Sequence, residues 1–423
     1  MLTARGAAIK VLCEIERNGS YSNIAASATL ADAELDRKDS AFMSMLIYGV
    51  LTRKITLDSI ISKYSSKGTS KLHPYVLNVL RIGVYQLIFM DKIPVSAAVN
   101  ESVNLIKKSK QSFASGFVNA VLRKISNDKQ SVLDFVDNSE LQVKYSCPNE
   151  LCEELVKDLG KVDAEGFLQA SLESPELFAR VNTLKTTKEE LFPKLSVKEI
   201  VCLEDEIPNS FTVKNIGNIE KLPEFKEGLF YIQDKASQKA IAELGIKPGM
   251  RVLDVCSAPG GKSFTAAMYL NGEGSVTSCD VYEKRVGLIS SGAKRLGISN
   301  LKAICSDATI FDEDLGKFDI VICDVPCSGL GVIRRKPEIK YRALSTYDDL
   351  FDIQLKILKT SANYVSQVGL LMYSTCTVRN SENGAVVNAF LNENSDFKII
   401  KDKTLLTNID GTDGFYFCIM ERV

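Results

Sequence analysis

Histidine is nearly absent from this chain of 423 residues: His73 stands alone. No Cys-x-x-Cys pair occurs either, so the sequence offers no ligand set for a zinc site, and no metal is expected. An apolar run of membrane-spanning length is missing, and Met1-Leu2-Thr3-Ala4-Arg5-Gly6 lacks the apolar core of a signal peptide. The expectation is therefore a cytoplasmic protein with no membrane partner. No internal repeat or low-complexity tract is visible. Eleven cysteines cannot all pair with one another, and most sit inside apolar runs, as reduced thiols do. His73 precedes Pro74 at a predicted helix start and is given no catalytic role.

Excess charge of one sign is also lacking overall, with 52 Lys and Arg against 53 Asp and Glu. The distribution is uneven. Residues 1–130 carry 18 basic and 10 acidic side chains, and the remainder 34 and 43. A basic N-terminal part beside an acidic remainder fits an appended nucleic-acid-binding module, although solvated helix faces give the same count.

The length predicts two or three domains. Residues 1–135 read as helix, interrupted by Pro74 and Pro94, with Val76 to Phe89 apolar nearly all round and so central to a bundle. A linker is expected near Asp134 to Glu140. Residues 145–235 mix a helix (Leu151 to Leu159) with short strands at Phe178–Val181, Phe211–Val213 and Leu229–Ile232, a small α+β domain. Residues 236–423 alternate strand and helix, with strands at Arg251–Val255, Ser275–Asp280, Leu301–Cys305, Phe318–Cys323 and Gly369–Ser374 and a last one at Phe415–Met420. Helices are predicted over Glu283–Leu296 and Tyr347–Val365. The chain is thus multidomain, ending in a doubly wound α/β domain whose ligands sit at the carboxyl ends of the strands.

Chemistry gathers at those ends. The first strand runs into Cys256-Ser257-Ala258-Pro259-Gly260-Gly261-Lys262-Ser263. This is neither Gly-x-Gly-x-x-Gly nor a phosphate loop, since Cys256 stands five before Gly261. It is a turn that lets backbone approach an amino-acid-like or nucleoside ligand. Asp280 ends the second strand, where an acid holds ribose hydroxyls. Asp307 follows the third strand and Asp324 ends the fourth. Each acid alone would serve as a helix cap. Together they line a crevice suited to adenosine with a cationic group, a description that S-adenosyl-L-methionine meets. Two thiols reach the same edge, Cys327 in Asp324-Val325-Pro326-Cys327 and Cys376 in Ser374-Thr375-Cys376-Thr377, each after an apolar run. A thiolate adds to an electron-poor carbon. Cys256 and Cys323 read as packing.

These blocks carry a resemblance. Residues 233–423 resemble the RNA cytosine-C5 methyltransferases of the NOL1/NOP2/Sun family, in Gln233 to Ser237, Asp254 to Ser263, Asp324 to Gly329, and Tyr373 to Val378 with Glu382-Asn383. Arg180 to Thr183 and Asp413 to Tyr416 match its outer blocks, and residues 1–130 are similar to the NusB-type RNA-binding domain. With Gly331 to Arg335, that fusion resembles the members acting on small-subunit (16S) ribosomal RNA. Lys336 departs from the family's usual His, and Lys235 interrupts the first block. The resemblance implies a NusB-like bundle, an α+β middle domain and a Rossmann-like class I methyltransferase. It implies S-adenosyl-L-methionine as cofactor, with S-adenosyl-L-homocysteine as product, bound by Cys256, Ser257, Ala258, Pro259, Gly260, Gly261, Lys262, Asp280, Arg285, Asp307 and Asp324. It implies Cys376 as nucleophile and Cys327 as the thiol assisting release. The ring that accumulates negative charge needs a contact at N3 and the exocyclic amine, and Asp324 can supply it if it is protonated or shares a proton with the base. The partner would be 16S ribosomal RNA or an assembling small subunit, and the protein a monomer. Arg334, Arg335, Lys336 and Lys340 are expected to meet phosphates, with Lys107, Lys108, Lys110, Arg123 and Lys124 extending the track. The rival readings are a transfer-RNA cytosine methyltransferase and a non-catalytic RNA-binding antitermination factor. The second has no use for Cys327, Cys376 and Asp324.

Overall fold

The computed structural model describes residues 3–18, 22–32, 35–65 and 68–423. The chain divides into two units, one of residues 1–173 with 333–343 and the other of residues 174–332 with 344–423.

The first unit is helical. Its centre is the helix Pro74–Phe89, buried from Val76 to Ile88 on nearly every face. Proline at the first helical position and the His73 Nδ1, which accepts from Tyr75 N at 3.2 Å, start this helix. Gly83 on it lets Leu122 of the helix Ser115–Asn127 approach closer than any side chain would allow. Asn78, Arg81 and Gln86 interrupt this apolar wall, and Arg81 carries the charge. Its guanidinium grips both Asp58 oxygens at 2.6 and 2.7 Å and Glu16 at 2.5 Å, which offsets the cost of burying it. The expected linker at Asp134 to Glu140 is largely helix, Lys129–Asp137, and helices continue through Asn149–Leu159 to Lys161–Ala170.

One segment distant in sequence belongs to this unit. Residues 333–343, just past the Pro-Cys loop, contain the 3-10 turn Pro337–Tyr341. Glu338 accepts from both Ser22 N and Oγ at 3.0 Å, at the start of the helix Ser22–Asp32. Tyr341 Oη donates to Leu51 O at 2.7 Å, and Lys340 Nζ to Thr52 O at 2.8 Å. Lys340 was expected to meet phosphates. It is 2% exposed, and burial pulls its ammonium down to about 8.

The second unit holds two sheets. The smaller has strands β1 (Leu177–Val181), β2 (Val201–Glu204), β3 (Ser210–Lys214) and β4 (Phe230–Ile232), all antiparallel in the order β2-β3-β1-β4. Strand β2 is an exposed edge that the sequence reading passed over, although it lies in the apolar run Ile200-Val201-Cys202-Leu203.

The larger sheet has β5 (Arg251–Asp254), β6 (Ser275–Asp280), β7 (Leu301–Cys305), β8 (Phe318–Asp324), β9 (Val365–Thr375), β10 (Phe397–Leu405) and β11 (Phe415–Arg422). Their order is β10-β11-β9-β8-β5-β6-β7, with β5 to β9 parallel and the last two antiparallel. This is the Rossmann-like methyltransferase sheet. The chain runs outward from β5 through β6 and β7, then returns to β8 on the other side. The carboxyl ends of β5 and β8 thus flank the switch point where such sheets bind ligands. The helix expected over Tyr347 to Val365 is shorter, Leu350–Ala362, and its last predicted residue opens β9 instead.

Candidate active site

Register brings the acids and thiols together. Asp324, at the end of β8, lies opposite Ser374 of β9, and Ser374 Oγ donates to Asp324 Oδ1 at 2.8 Å. Lys262 Nζ, from the first turn of the helix Gly261–Tyr269, lies 2.7 Å from Asp324 Oδ2. Burial opposes the Lys262 charge, but the Asp324 carboxylate outweighs it and holds that ammonium above the ordinary lysine range. Two donors on Asp324 make it an acceptor, poised to receive a hydrogen bond from an amino group.

Beyond Asp324 the chain turns through Pro326 to Cys327, and beyond β9 through Thr375 to Cys376. Their Sγ atoms are 3.1 Å apart. The Cys376 sulfur, then burial, push the Cys327 thiol well up. Either sulfur could donate across the 3.1 Å between them, so the geometry presents two thiols to one substrate position without choosing the nucleophile. Glycine at 331 is required here. Gly331 N donates to Cys376 O and Gly414 N to Gly331 O, both at 2.9 Å, and any side chain on Gly331 would run into the Gly414 carbonyl.

The first turn departs from strand β5 at Asp254, which is fully buried. Its Oδ2 accepts from Ser263 Oγ at 2.7 Å, and Ser278 Oγ donates to Ser263 at 2.8 Å. Burial pushes the Asp254 carboxyl up to about 7. Gly260 takes φ 111°, and a Cβ there would strike the Phe264 ring. Asp280 Oδ1 accepts from Tyr282 N at 3.1 Å, and its Oδ2 pairs with Arg285 at 3.2 Å. Arg285 also donates to Ala258 O at 3.1 Å, so it bridges the turn and the acid of β6. Asp307 is exposed, and Thr309 occupies its Oδ1 through N and Oγ1.

The residues fit a nucleoside cofactor bearing an amino acid. Asp254 Oδ1 and Ser257 Oγ are buried with no hydrogen-bond partner, and the carboxylates of Asp280 and Asp307 stand at the ends of neighbouring strands. These are acceptors for hydroxyl and ammonium groups. Burial raises the Cys256, Cys279 and Cys323 thiols above their ordinary range, which disfavours their thiolates.

Sequence reasoning missed several groups. Ser374 lay inside a quoted block but had no role, and only the strand register aims it at Asp324. Lys262 was expected on the cofactor, and its Nζ reaches Asp324. Gln354 gave no signal, yet its Nε2 donates to Pro326 O at 2.9 Å. Lys235 forms ion pairs with Asp205 at 3.1 Å and Glu206 at 3.4 Å.

A model of the 16S rRNA methyltransferase RsmB/F family matches residues 241–414, and one of the NusB family matches residues 2–127. The chain is 33% identical over 444 residues to a probable ribosomal RNA small subunit methyltransferase B of Bacillus subtilis, covering 99% of each. A protein of the same description from Synechocystis sp. is 31% identical, over 94% of this chain and 91% of that one. The ribosomal RNA small subunit methyltransferase B of Vibrio cholerae is 29% identical, over 100% and 98%. Among solved structures, that of PH0851 superposes with a TM-score of 0.80 at 24% identity over 98% of both chains. NSun6 from Pyrococcus horikoshii superposes with a TM-score of 0.60 at 20% identity, over 65% of this chain and 98% of that one. These two likenesses concern the fold.

Proposed function

The chain belongs to the 16S rRNA methyltransferase RsmB/F family with a NusB-family N-terminal domain, and from that premise we propose that it methylates C5 of a cytosine through a covalent Cys376 adduct. As a member it is an S-adenosylmethionine-dependent rRNA methyltransferase. The observation that carries the finer reading is the Cys327–Cys376 pair, 3.1 Å apart and beside Asp324.

C5 of cytosine is a weak nucleophile, and attack by a thiolate at C6 makes it an enamine carbon. The Cys376 sulfur forms the bond to C6, and the C5–C6 π electrons move onto C5 and toward N3. Asp324, held as an acceptor by Lys262 and Ser374, receives the exocyclic amine and orients the ring. Lys262 places positive charge where the ring gains electron density. The cofactor, when bound, supplies an electrophilic methyl group to C5. The proton on C5 passes to solvent, the C5–H electron pair re-forms the double bond, and the C6–sulfur bond breaks with its pair returning to Cys376. Cys327, 3.1 Å away, would protonate the departing sulfur and regain a proton from solvent. The target base enters this pocket by leaving its stack.

Residues Asp254, Ser257, Asp280, Arg285 and Asp307 would hold the cofactor. Lys107, Lys108, Lys110, Arg123 and Lys124 are all exposed on the helical unit and would meet phosphates. The test is transfer of labelled methyl from S-adenosylmethionine to 16S rRNA, followed by bisulfite mapping. A single protected cytosine is expected. Label on another base or atom would overturn the reading.

A further inference from the structure

Both thiols are held by one dipeptide. Glu382 Oε2 accepts from Ser328 N at 2.8 Å, on one side of Cys327. The same oxygen accepts from Gln354 Nε2 at 3.2 Å, and Gln354 in turn holds Pro326 O, on the other side of Cys327, at 2.9 Å. Asn383 treats Cys376 alike. Its Oδ1 accepts from Thr375 Oγ1 at 2.6 Å and its Nδ2 donates to Thr377 O at 3.1 Å, so both neighbours of Cys376 are fixed. Ser328 Oγ then links to Thr377 Oγ1 at 2.9 Å, joining the two loops.

The bracket is rigid and dry. Glu382, Asn383 and Gln354 are 2%, 3% and 0% exposed. Arg379 pairs with Glu382 Oε1 at 3.3 Å, and Tyr373 Oη donates to Glu382 O at 2.6 Å, anchoring the dipeptide to strand β9. A buried carboxylate in the described residues is tolerable only with such partners. Neither residue lies among the groups assigned to substrate or cofactor, so their burial needs a structural reason, and the loops supply it.

We propose that Glu382 and Asn383 are positioning residues that set the approach of Cys327 to Cys376, Glu382 fixing the loop of the first and Asn383 the loop of the second. The consequence for turnover rests on the thiol chemistry proposed above, whereas the geometric consequence does not. A misplaced Cys376 loses its aim at C6, and a misplacement of about 1 Å costs about 100-fold in rate.

The experiment compares the full-length wild type with E382Q, N383S and the milder Q354M. Each protein is treated with diamide, whose N=N bond takes up two hydrogens as two thiols become one disulfide. Mass mapping follows closure of Cys327 onto Cys376. The expected result is closure slowed by about 10-fold or more in E382Q and N383S, and by less in Q354M. In methylation assays kcat falls by about 100-fold while KM for S-adenosylmethionine and for RNA stays within about 2-fold. If E382Q or N383S does not fold, Q354M decides. Wild-type closure rates in the folded variants overturn the bracket. Slowed closure in a protein that leaves cytosine C5 unmodified upholds the bracket and overturns the functional reading instead.

Discussion

Lys262 Nζ and Asp324 Oδ2 stand 2.7 Å apart, and the two are unequally sheltered: the lysine side chain is 11% exposed and the aspartate 30%. The asymmetry predicts unequal variants. Asp324→Ala leaves a buried ammonium without its anion and should destabilise the protein by about 3 kcal/mol. Lys262→Met leaves a carboxylate that still receives Ser374 and reaches water, and should cost clearly less stability. Both variants should lose activity, since one removes the acceptor and the other its orienting charge. Denaturant midpoints of the two proteins, measured side by side, check the order.

Asp254 makes the protein's stability depend on pH. Burial, opposed by the Ser263 hydrogen bond, raises its folded-state pKa to about 7 from an ordinary 3.8. Between those values the folded chain holds a proton that the unfolded chain releases. The contribution is therefore fully present below about pH 4 and lost as pH rises through 7, on the order of 4 kcal/mol in all. Asp254→Asn cannot titrate. Its stability relative to wild type should improve across that window, and a flat difference from pH 4 to pH 8 would contradict the assignment.

How much of this was legible in the sequence follows from what each signal reports. Apolar runs mark burial, so the interior strands β5, β6, β8 and β9 were visible. Strand β10, with Lys398, Lys401 and Lys403 along an exposed edge, was not. Strand β2 went unread despite the apolar run Ile200-Val201-Cys202-Leu203, which the fold leaves on an exposed edge. The acids and thiols stood out because chemistry-bearing residues follow those visible strands. Their holders did not. Ser374, Glu382 and Asn383 lay inside quoted blocks without a role and Gln354 in none; the meaning of Ser374, Gln354 and Glu382 comes from partners 28 to 54 residues away, and that of Asn383 from the folding back of the loop onto Thr375 and Thr377. Lys340 was misplaced for the opposite reason, since a charge in a basic run says nothing about whether its segment is buried.

The segment 333–343 gives the N-terminal helices a role besides RNA affinity. Deleting residues 1–130 removes Ser22, Leu51 and Thr52, which receive Glu338, Tyr341 and Lys340. The buried turn Pro337–Tyr341 then loses its seat. Trypsin should cut after Arg334, Arg335 or Lys340 in the truncated protein and spare these bonds in the full chain. Glu338→Ala in the full chain should cost about 1–3 kcal/mol, because it strips the acceptor from the start of the helix Ser22–Asp32. Equal digestion of both proteins would show that the segment stands without the helices.

The two thiols should separate on substitution. Cys376→Ala removes the sulfur proposed to attack C6, and methylation and any protein–RNA adduct should both vanish. Cys327→Ala leaves that sulfur in place but takes away the neighbouring proton 3.1 Å from it. Bond formation to C6 continues while cleavage slows, so a denaturation-resistant complex should accumulate when S-adenosylmethionine and RNA are both present. A shifted band on a denaturing gel with labelled RNA reads this out. An adduct from Cys376→Ala and none from Cys327→Ala would make Cys327 the attacking sulfur. Full activity in both variants would end the covalent mechanism, because burial disfavours the thiolates of the neighbouring cysteines: Cys323 is pushed up to about 12 and Cys256 is raised in the same way.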